Sequence, residues 1–391
     1  MPRRSDRSGA PERAATSRAR FRSCPESRVG AVPDAAAGNG HGASSDEGSG
    51  VPAGVTIERD RSLRNLHTFG FELTAERYAE ATDEAALGAL FALADRHDWP
   101  VLLLGGGSNV VPTDDVPGLV VRFVGDGVDV HPRGNGVVHV RAEAGKGWHE
   151  LVTETLEAGL PGLENLALIP GSVGAAPVQN IGAYGVELSE RLVSVRALHR
   201  PSGLWHELDV AACGFGYRDS RFKREAGDWA ITAVTFELGE HLPRVAGYAS
   251  LAALLAERGI EEPSALDIRD AVVAVRRSRL PDPAVLGNAG SFFQNPLVSR
   301  ERAEALLARF PDLVHYAQPD GQVKLAAGWL IDQLGFRGHS EGGIGVHETQ
   351  ALVLVHEGGG SAETLLGLVE RILVAVEERF GVRLQIEPTL I

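Results

Sequence analysis

One long segment of this chain, IPGSVGAAPVQNIGAYG at residues 169–185, is almost free of charged and bulky side chains. A loop without a function is usually shorter and more polar. A second glycine-rich stretch, GGGSN at residues 105–109, follows directly after the apolar run VLLL. Glycines let backbone N–H groups approach a phosphate and curve into an anion-binding nest. GGGSN alone is equally compatible with a tight turn, but the two segments together favour a backbone that wraps an extended cofactor.

The spacing of these glycines excludes the two best-known phosphate loops. GGGSN does not match the GxGxxG fingerprint, and the VVPTDDVPG that follows cannot open a helix. It also lacks the Gly-Lys-Ser/Thr of a Walker loop. A phosphate site here therefore predicts a fold other than the Rossmann fold.

Length and charge narrow the class of protein further. With 391 residues the chain can form two or three domains, and its net charge of -14 argues against nucleic acid as the main partner. Cys24 and Cys213 are the only two cysteines and cannot form a disulfide framework. No apolar run approaches the ~18 residues of a membrane span, and the basic N-terminus lacks the apolar core of a signal peptide. We expect a cytoplasmic protein without membrane insertion.

The first 57 residues differ in composition from the rest. Ala, Gly, Pro and Ser dominate residues 1–57 and leucine is missing, which predicts a disordered N-terminal extension. Beyond it, strands and helices interleave without a regular alternation, so the predicted fold class is α+β in several subdomains. Hydrophobic periodicity and capping residues predict helices at 84–97, 148–158, 265–279, 300–309 and 362–380, and strands at 101–104, 118–123, 137–142 and within 192–238.

Three further motifs follow the glycine-rich segments in order: GYRDS at 216–220, GNAGSFFQNP at 287–296 and KLAAGWLID at 324–332. The whole series resembles the UDP-N-acetylenolpyruvoylglucosamine reductases, a family of the vanillyl-alcohol-oxidase-like flavoproteins. The resemblance runs from about residue 60 to the C-terminus. It implies a two-subdomain FAD-binding fold, residues 58–124 and 125–280, and a C-terminal α+β substrate-binding domain, residues 281–391.

The resemblance also implies the reaction and its catalytic residues. Such an enzyme uses NADPH and non-covalent FAD to reduce UDP-N-acetylglucosamine enolpyruvate to UDP-N-acetylmuramate, for peptidoglycan precursor synthesis. Arg218 and Glu387 would stabilise the enolate and Ser291 would donate the proton. Taken singly, each residue has a simpler interpretation: an ion pair of Arg218 with Asp219, a chain turn at Ser291, and a solvated terminal charge at Glu387.

The cofactor and substrate residues follow from the same motifs. The implied FAD contacts are Gly105, Gly106, Gly107, Ser108, Asn109, Gly171, Ser172, Gly174, Ala175, Asn180, Gly182, Ala183 and Tyr217. The implied contacts of the UDP-sugar are Tyr248, Asn295, Tyr316, Lys324 and Gln350. Residues 239–262 resemble a loop that one subclass inserts, with a tyrosine that folds over the substrate. We expect a monomer.

The chain departs from the family pattern at three places. Arg279 and Arg337 occupy positions where lysine is common in the family. The compact charge of an ammonium group is thereby replaced by a planar guanidinium group. The chain ends at Ile391, shorter than many members, which could loosen Glu387.

Two other functions remain open at the level of sequence. A flavin oxidase that acts on an alcohol would need a general base. The residues implied here would instead stabilise an enolate and donate a proton. A catalytically silent flavin or nucleotide-sugar sensor would bind FAD without NADPH turnover. A metal enzyme is not predicted, because the 13 histidines include no HExxH and no close ligand pair.

Overall fold

The computed structural model of the protein describes residues 55–391. The predicted disorder of residues 1–57 lies outside the described residues up to residue 54, whereas Ile57 already belongs to a strand, so regular structure begins one residue earlier than predicted. Within the described range no helix is both long enough and apolar enough to span a membrane.

A small, mainly parallel sheet opens the described chain. Its strand order is β1-β2-β5-β3, and α1 packs its buried face, including Leu87 and Leu90, against it. The Asp83 side chain caps α1 by accepting from the Ala86 N–H, as the sequence predicts. Because β3 ends just before the GGGSN turn, the turn lies at the carboxyl edge of this sheet. The elements are β1 Ile57–Ser62, β2 Thr74–Ala81, α1 Glu84–Arg96, β3 Val101–Leu103, β4 Val110–Val111 and β5 Val116–Phe123.

The second part is built on a five-stranded antiparallel sheet with the order β11-β10-β12-β7-β6. Its elements are β6 Val128–Gly134, β7 Val137–Glu143, α2 Trp148–Glu157, β8 Gly182–Ala183, β9 Val186–Glu187, β10 Leu192–His199, β11 Leu204–Asp209, α3 Val210–Cys213, α4 Arg221–Arg224, β12 Trp229–Leu238, α5 Ala249–Glu257 and α6 Ala265–Arg279. Helix α5 was not predicted, since residues 239–262 were interpreted as a loop. It forms because Leu251 and Leu255, one turn apart, are buried in the core of this part.

The third part has its own sheet, in the order β13-β19-β18-β17. Helices α7 and α9 begin and end at the predicted residues, with Gly381 in the left-handed conformation after α9. The elements are β13 Gly287–Ser291, β14 Leu297–Val298, α7 Arg300–Arg309, β15 His315–Ala317, β16 Val323–Leu325, α8 Ala327–Asp332, β17 Ser340–Glu341, β18 Ile344–Val346, β19 Val353–His356, α9 Ala362–Phe380 and β20 Thr389–Leu390.

The last residues return to the first part. β20 pairs in parallel with β4, and the Ile391 N–H donates to the Val111 carbonyl at 3.1 Å. This pairing fixes the last residues, so Glu387 does not lie on a loose tail. The mixed architecture confirms the predicted α+β fold class.

Candidate active site

A cavity of about 450 Å³ lies where the three parts meet. Both glycine-rich segments contribute to its wall. Of the predicted cofactor residues, the wall includes residues 105–109, Ser172, Gly174, Ala175 and Gly182. The three predicted catalytic residues line the same cavity: Arg218, Ser291 and Glu387.

The two glycine-rich segments are in direct contact with each other. A Cβ atom added at Gly106 would stand 2.6 Å from the Gly171 Cα atom, closer than any real side chain allows. The Ser108 hydroxyl donates to the Pro170 carbonyl at 3.0 Å. Glycine is therefore required at position 106 because two backbones approach each other there. This reason adds to the approach of a phosphate, which the sequence motif predicts.

In the described chain, four predicted cofactor residues are not part of the cavity wall: Gly171, Asn180, Ala183 and Tyr217. Asn180 instead shapes the glycine-rich segment from within. It adopts a left-handed φ of 43°, is 1% exposed, and donates its amide to the Glu187 carboxylate at 2.9 Å and the Gly216 carbonyl at 3.2 Å.

The lining suits a molecule with planar rings joined by phosphates. Apolar side chains such as Val101, Phe123 and Trp229 offer a surface for an uncharged ring. The glycine-rich segments offer backbone groups without side chains in the way. Lys223 and Arg276 add positive charge. FAD has this combination of parts, so the residues present fit it.

Arg218 occupies a strained position at the polar part of the cavity. Its φ of 53° lies in the left-handed region, which is rare for a residue with a side chain and is often associated with functional sites. The guanidinium donates to the Gly182 carbonyl at 2.6 Å, and its Nε lies 3.6 Å from a Glu387 carboxylate oxygen. Asp219 pairs with Arg224 instead. The simpler interpretation of Arg218, an ion pair with Asp219, is therefore wrong.

Glu387 is held in place on both sides. Its backbone N–H donates to the Phe292 carbonyl at 2.9 Å, and its own carbonyl accepts from the Asn109 amide at 3.3 Å. Its side chain is only 15% exposed, so Glu387 is not a solvated terminal charge. Burial raises the pKa of the Glu387 carboxyl, and the nearby Arg218 and Lys223 cations oppose that shift.

Ser291 ends β13 beside this glutamate. The register of β13 against β19 shifts between Asn288 and Ser291, with Gly290 at a φ of 68°. Such bulges redirect side chains and are frequent next to active sites. Thr68 ties the strand to the first glycine-rich segment, because its hydroxyl donates to the Asn288 carbonyl at 2.7 Å and its N–H to the Gly107 carbonyl at 3.1 Å.

The predicted substrate residues fall into separate groups. The Lys324 ammonium lies 5.0 Å from the centre of the Tyr217 ring and 5.9 Å from that of Tyr316. Burial, with Arg218 nearby, lowers the pKa of Lys324. Asn295 accepts from the Ala327 N–H at 3.0 Å.

The other two predicted substrate residues lie against different neighbours. Gln350 accepts from the Leu352 N–H at 3.5 Å. The Tyr248 ring packs edge-on against Tyr184, with ring centres 5.4 Å apart.

Sequence reasoning missed two basic residues of the cavity wall. Lys223 donates to the Arg218 carbonyl at 3.0 Å. The buried Arg276 Nε has no hydrogen-bond partner among the described residues. Both belong to basic runs, RFKR and RRSR, in which a sequence pattern alone does not distinguish an inward-facing cation from a surface one. For Arg337 the structure gives an ion pair with Asp332 at 2.8 Å.

Two family profiles match separate ranges of the chain. Residues 75–209 match the family profile described as FAD binding domain. Residues 282–391 match the profile of the UDP-N-acetylenolpyruvoylglucosamine reductase C-terminal domain. A solved structure of UDP-N-acetylenolpyruvylglucosamine reductase from Thermus caldophilus shares the fold, with a TM-score of 0.61, 24% identity, and coverage of 86% of this chain and 99% of that one.

Curated relatives are similar over nearly their whole length. The UDP-N-acetylenolpyruvoylglucosamine reductase of Ralstonia nicotianae is 55% identical over 335 residues, which cover 84% of this chain and 97% of the relative. That of Pseudomonas aeruginosa is 50% identical over 336 residues, which cover 86% and 99%. With this identity and coverage, the chain belongs to the UDP-N-acetylenolpyruvoylglucosamine reductase family.

Proposed function

We propose that Arg218, Ser291 and Glu387 carry out this family's reaction in the chain, the NADPH-dependent reduction of UDP-N-acetylglucosamine enolpyruvate to UDP-N-acetylmuramate. The protein is an FAD-dependent oxidoreductase of peptidoglycan precursor synthesis. The observation that carries the assignment of residues is their convergence on one cavity beside both glycine-rich segments. Bound FAD would supply hydride transfer from NADPH to the enolpyruvyl group.

The roles follow from where charge develops. Addition of hydride to the carbon distal to the substrate carboxylate leaves negative charge on the other carbon, which spreads into that carboxylate as an enolate. Arg218 offers a fixed positive charge to the enolate. Glu387 in its neutral form, which burial favours, can donate a hydrogen bond to it. The Ser291 hydroxyl then gives the proton to carbon.

The remaining predicted residues have roles in holding ligands. Residues 105–109, Ser172, Gly174, Ala175 and Gly182 would hold FAD through backbone and small side chains, with Gly171, Asn180, Ala183 and Tyr217 shaping the site around it. The Lys324 ammonium lies near the rings of both Tyr217 and Tyr316. A side-chain hydrogen bond joins Asn295 to Tyr217. This grouping supports a role of the three residues in binding the UDP-sugar. Gln350 is assigned to the substrate on its motif position alone.

Tyr248 is assigned to the substrate as the tyrosine of an inserted loop. Its side chain is 44% exposed and it immediately precedes α5. This supports membership of the subclass that carries such a loop.

Three further properties belong to the same proposal. The strand pairing of each main sheet stays within residues 58–124, 125–280 or 281–391, apart from Ile57 at the start of β1, which supports these ranges as domains. We place the enzyme as a monomer. NADPH and a UDP-sugar are metabolites of the cytoplasm, where we place the enzyme.

The purified protein should show the absorbance bands of bound flavin and should oxidise NADPH rapidly only when the enolpyruvyl sugar is added. The measurement follows NADPH absorbance with and without that sugar. Bound flavin with no NADPH turnover would favour a sensor. Turnover of an alcohol with oxygen would favour an oxidase.

The pH dependence of the reaction tests the role of Glu387. Burial raises its pKa, so the neutral acid persists to higher pH than for an ordinary glutamate. If the neutral form is required, reduction of the sugar should slow by about tenfold for each pH unit above that pKa. Glu387→Gln keeps a neutral donor and should lose this alkaline decline, whereas Glu387→Asp should keep one. An unchanged decline in Glu387→Gln would assign it to another group.

A further inference from the structure

The segment between β12 and α5 makes few hydrogen bonds to the rest of the fold. We call this segment, residues 239–248, the strap. At its start, the Gly239 N–H donates to the Pro161 carbonyl at 2.9 Å. Residues 243–247 have no regular secondary structure. The strap ends at Tyr248, where α5 begins to pack Leu251 and Leu255 into the core.

One buried amide hydrogen-bonds to the middle of the strap, where Val245 and Ala246 also pack against the core of the second part. Asn165, in the 3₁₀ helix Glu164–Leu166, is 2% exposed. Its side-chain nitrogen donates to the Val245 carbonyl at 2.8 Å and to the Tyr184 carbonyl at 3.0 Å, which uses both N–H groups of the amide. Across the described chain, residues 243–247 make no other hydrogen bond to the remainder of the fold.

Each of the two segments that Asn165 binds contains a tyrosine. Tyr184 ends the second glycine-rich segment, and Tyr248 lies three residues after Val245. The two rings meet at 5.4 Å and 79°, an edge-to-face contact. The backbones are also close, because a Cβ atom added at Gly185 would lie 3.2 Å from a Val245 methyl group. Asn165 therefore sets the distance between the strap and the glycine-rich segment.

We infer that Asn165 is a positioning residue for the sugar nucleotide, which acts by holding the strap so that Tyr248 is presented to the substrate. The inference rests on the proposed substrate role of Tyr248. Neither Asn165 nor any strap residue is part of the wall of the cofactor cavity. Loss of the amide should therefore weaken binding of the sugar nucleotide and leave reduction of bound flavin by NADPH unchanged.

A double-mutant cycle on the flavin-loaded enzyme tests this. Asn165→Ala and Tyr248→Ala should each raise KM for the enolpyruvyl sugar by about tenfold, the scale of one lost buried hydrogen bond or ring contact. The double variant should show no more than the Tyr248→Ala effect, because Asn165 acts through Tyr248. Asn165→Ala should also speed limited cleavage by trypsin after Arg244, an exposed arginine of the strap. If alanine prevents folding, Asn165→Asp keeps the shape and removes both donors.

Thr155→Val is the matched control. Thr155 is fully buried on α2, which packs in the same core, and its hydroxyl bonds to carbonyls of its own helix, so KM and the rate of cleavage after Arg244 should stay unchanged. Multiplying effects in the double variant, or an unchanged rate of cleavage after Arg244, would overturn the inference and leave the substrate role of Tyr248 intact. If Tyr248→Ala leaves KM unchanged, the substrate role of Tyr248 fails and the inference fails with it.

Discussion

Replacing Ser291 with alanine should leave reduction of the bound flavin by NADPH close to the wild-type rate and slow its reoxidation by the enolpyruvyl sugar by ~10²–10⁴-fold. The reason is that protonation of carbon belongs only to the second half of the reaction. Ser291 lies at the end of β13, next to the Phe292 carbonyl that binds the Glu387 N–H, so its hydroxyl shares the cavity with the proposed enolate site.

Rapid mixing of each substrate with the enzyme, followed at the flavin absorbance band, separates the two halves. Ser278→Ala is a suitable control, since the Ser278 hydroxyl bonds to the Val275 carbonyl of its own helix. Equal slowing of both halves in Ser291→Ala would indicate a structural serine. Unchanged reoxidation would mean that another group or a water donates the proton. Arg218→Ala is expected to affect both halves, because the guanidinium lies 5.3 Å from the centre of the Tyr217 ring, which could contact the nicotinamide.

Local signals in the sequence were sufficient to predict the helices whose ends carry capping residues. Helix α6 runs from Ala265 to Arg279 behind the capping box of Ser264 and Asp267, and α9 ends at the left-handed Gly381. These are interactions between near neighbours in the chain, so their residues are visible in a short window. The two glycine-rich segments were recognisable for a similar reason, because their composition is unusual for loops.

Contacts between distant parts of the chain were not predictable in the same way. Nothing local to YRDS indicates that Arg218 faces Glu387 while Asp219 pairs with Arg224. Likewise, Lys223 and Arg276 became recognisable as cavity residues only once three parts of the fold were assembled around them. Helix α5 differs, because its alanine- and leucine-rich sequence is itself a local helix signal, which the interpretation of residues 239–262 as an inserted loop overlooks.

Gly106→Ala should abolish retention of FAD, even though alanine adds no charge. The added Cβ atom would meet the Gly171 Cα at 2.6 Å and its carbonyl carbon at 2.9 Å. Both are backbone atoms, so they cannot turn aside as a flexible side chain would. The two glycine-rich segments must separate, and the backbone groups that would hold the cofactor move with them. If Gly106 only let a phosphate approach the backbone, a bulky or negative side chain would be needed to prevent FAD binding. Because two backbones pack together here, even the methyl group of alanine should be enough to prevent it.

The decisive measurement is flavin content per chain after gel filtration, alongside circular dichroism to verify folding. Overpacking of this kind costs ~1–3 kcal/mol, less than the ~5–15 kcal/mol that typically separates folded from unfolded states, so the variant should remain folded while losing flavin. Gly88→Ala is the matched control, because Gly88 lies in α1 with no atom within 4 Å of an added Cβ. That change should retain flavin and slightly stabilise the helix. A folded Gly106→Ala protein with full flavin occupancy would show that the segments can separate without loss of the cofactor site, and would place the binding groups elsewhere.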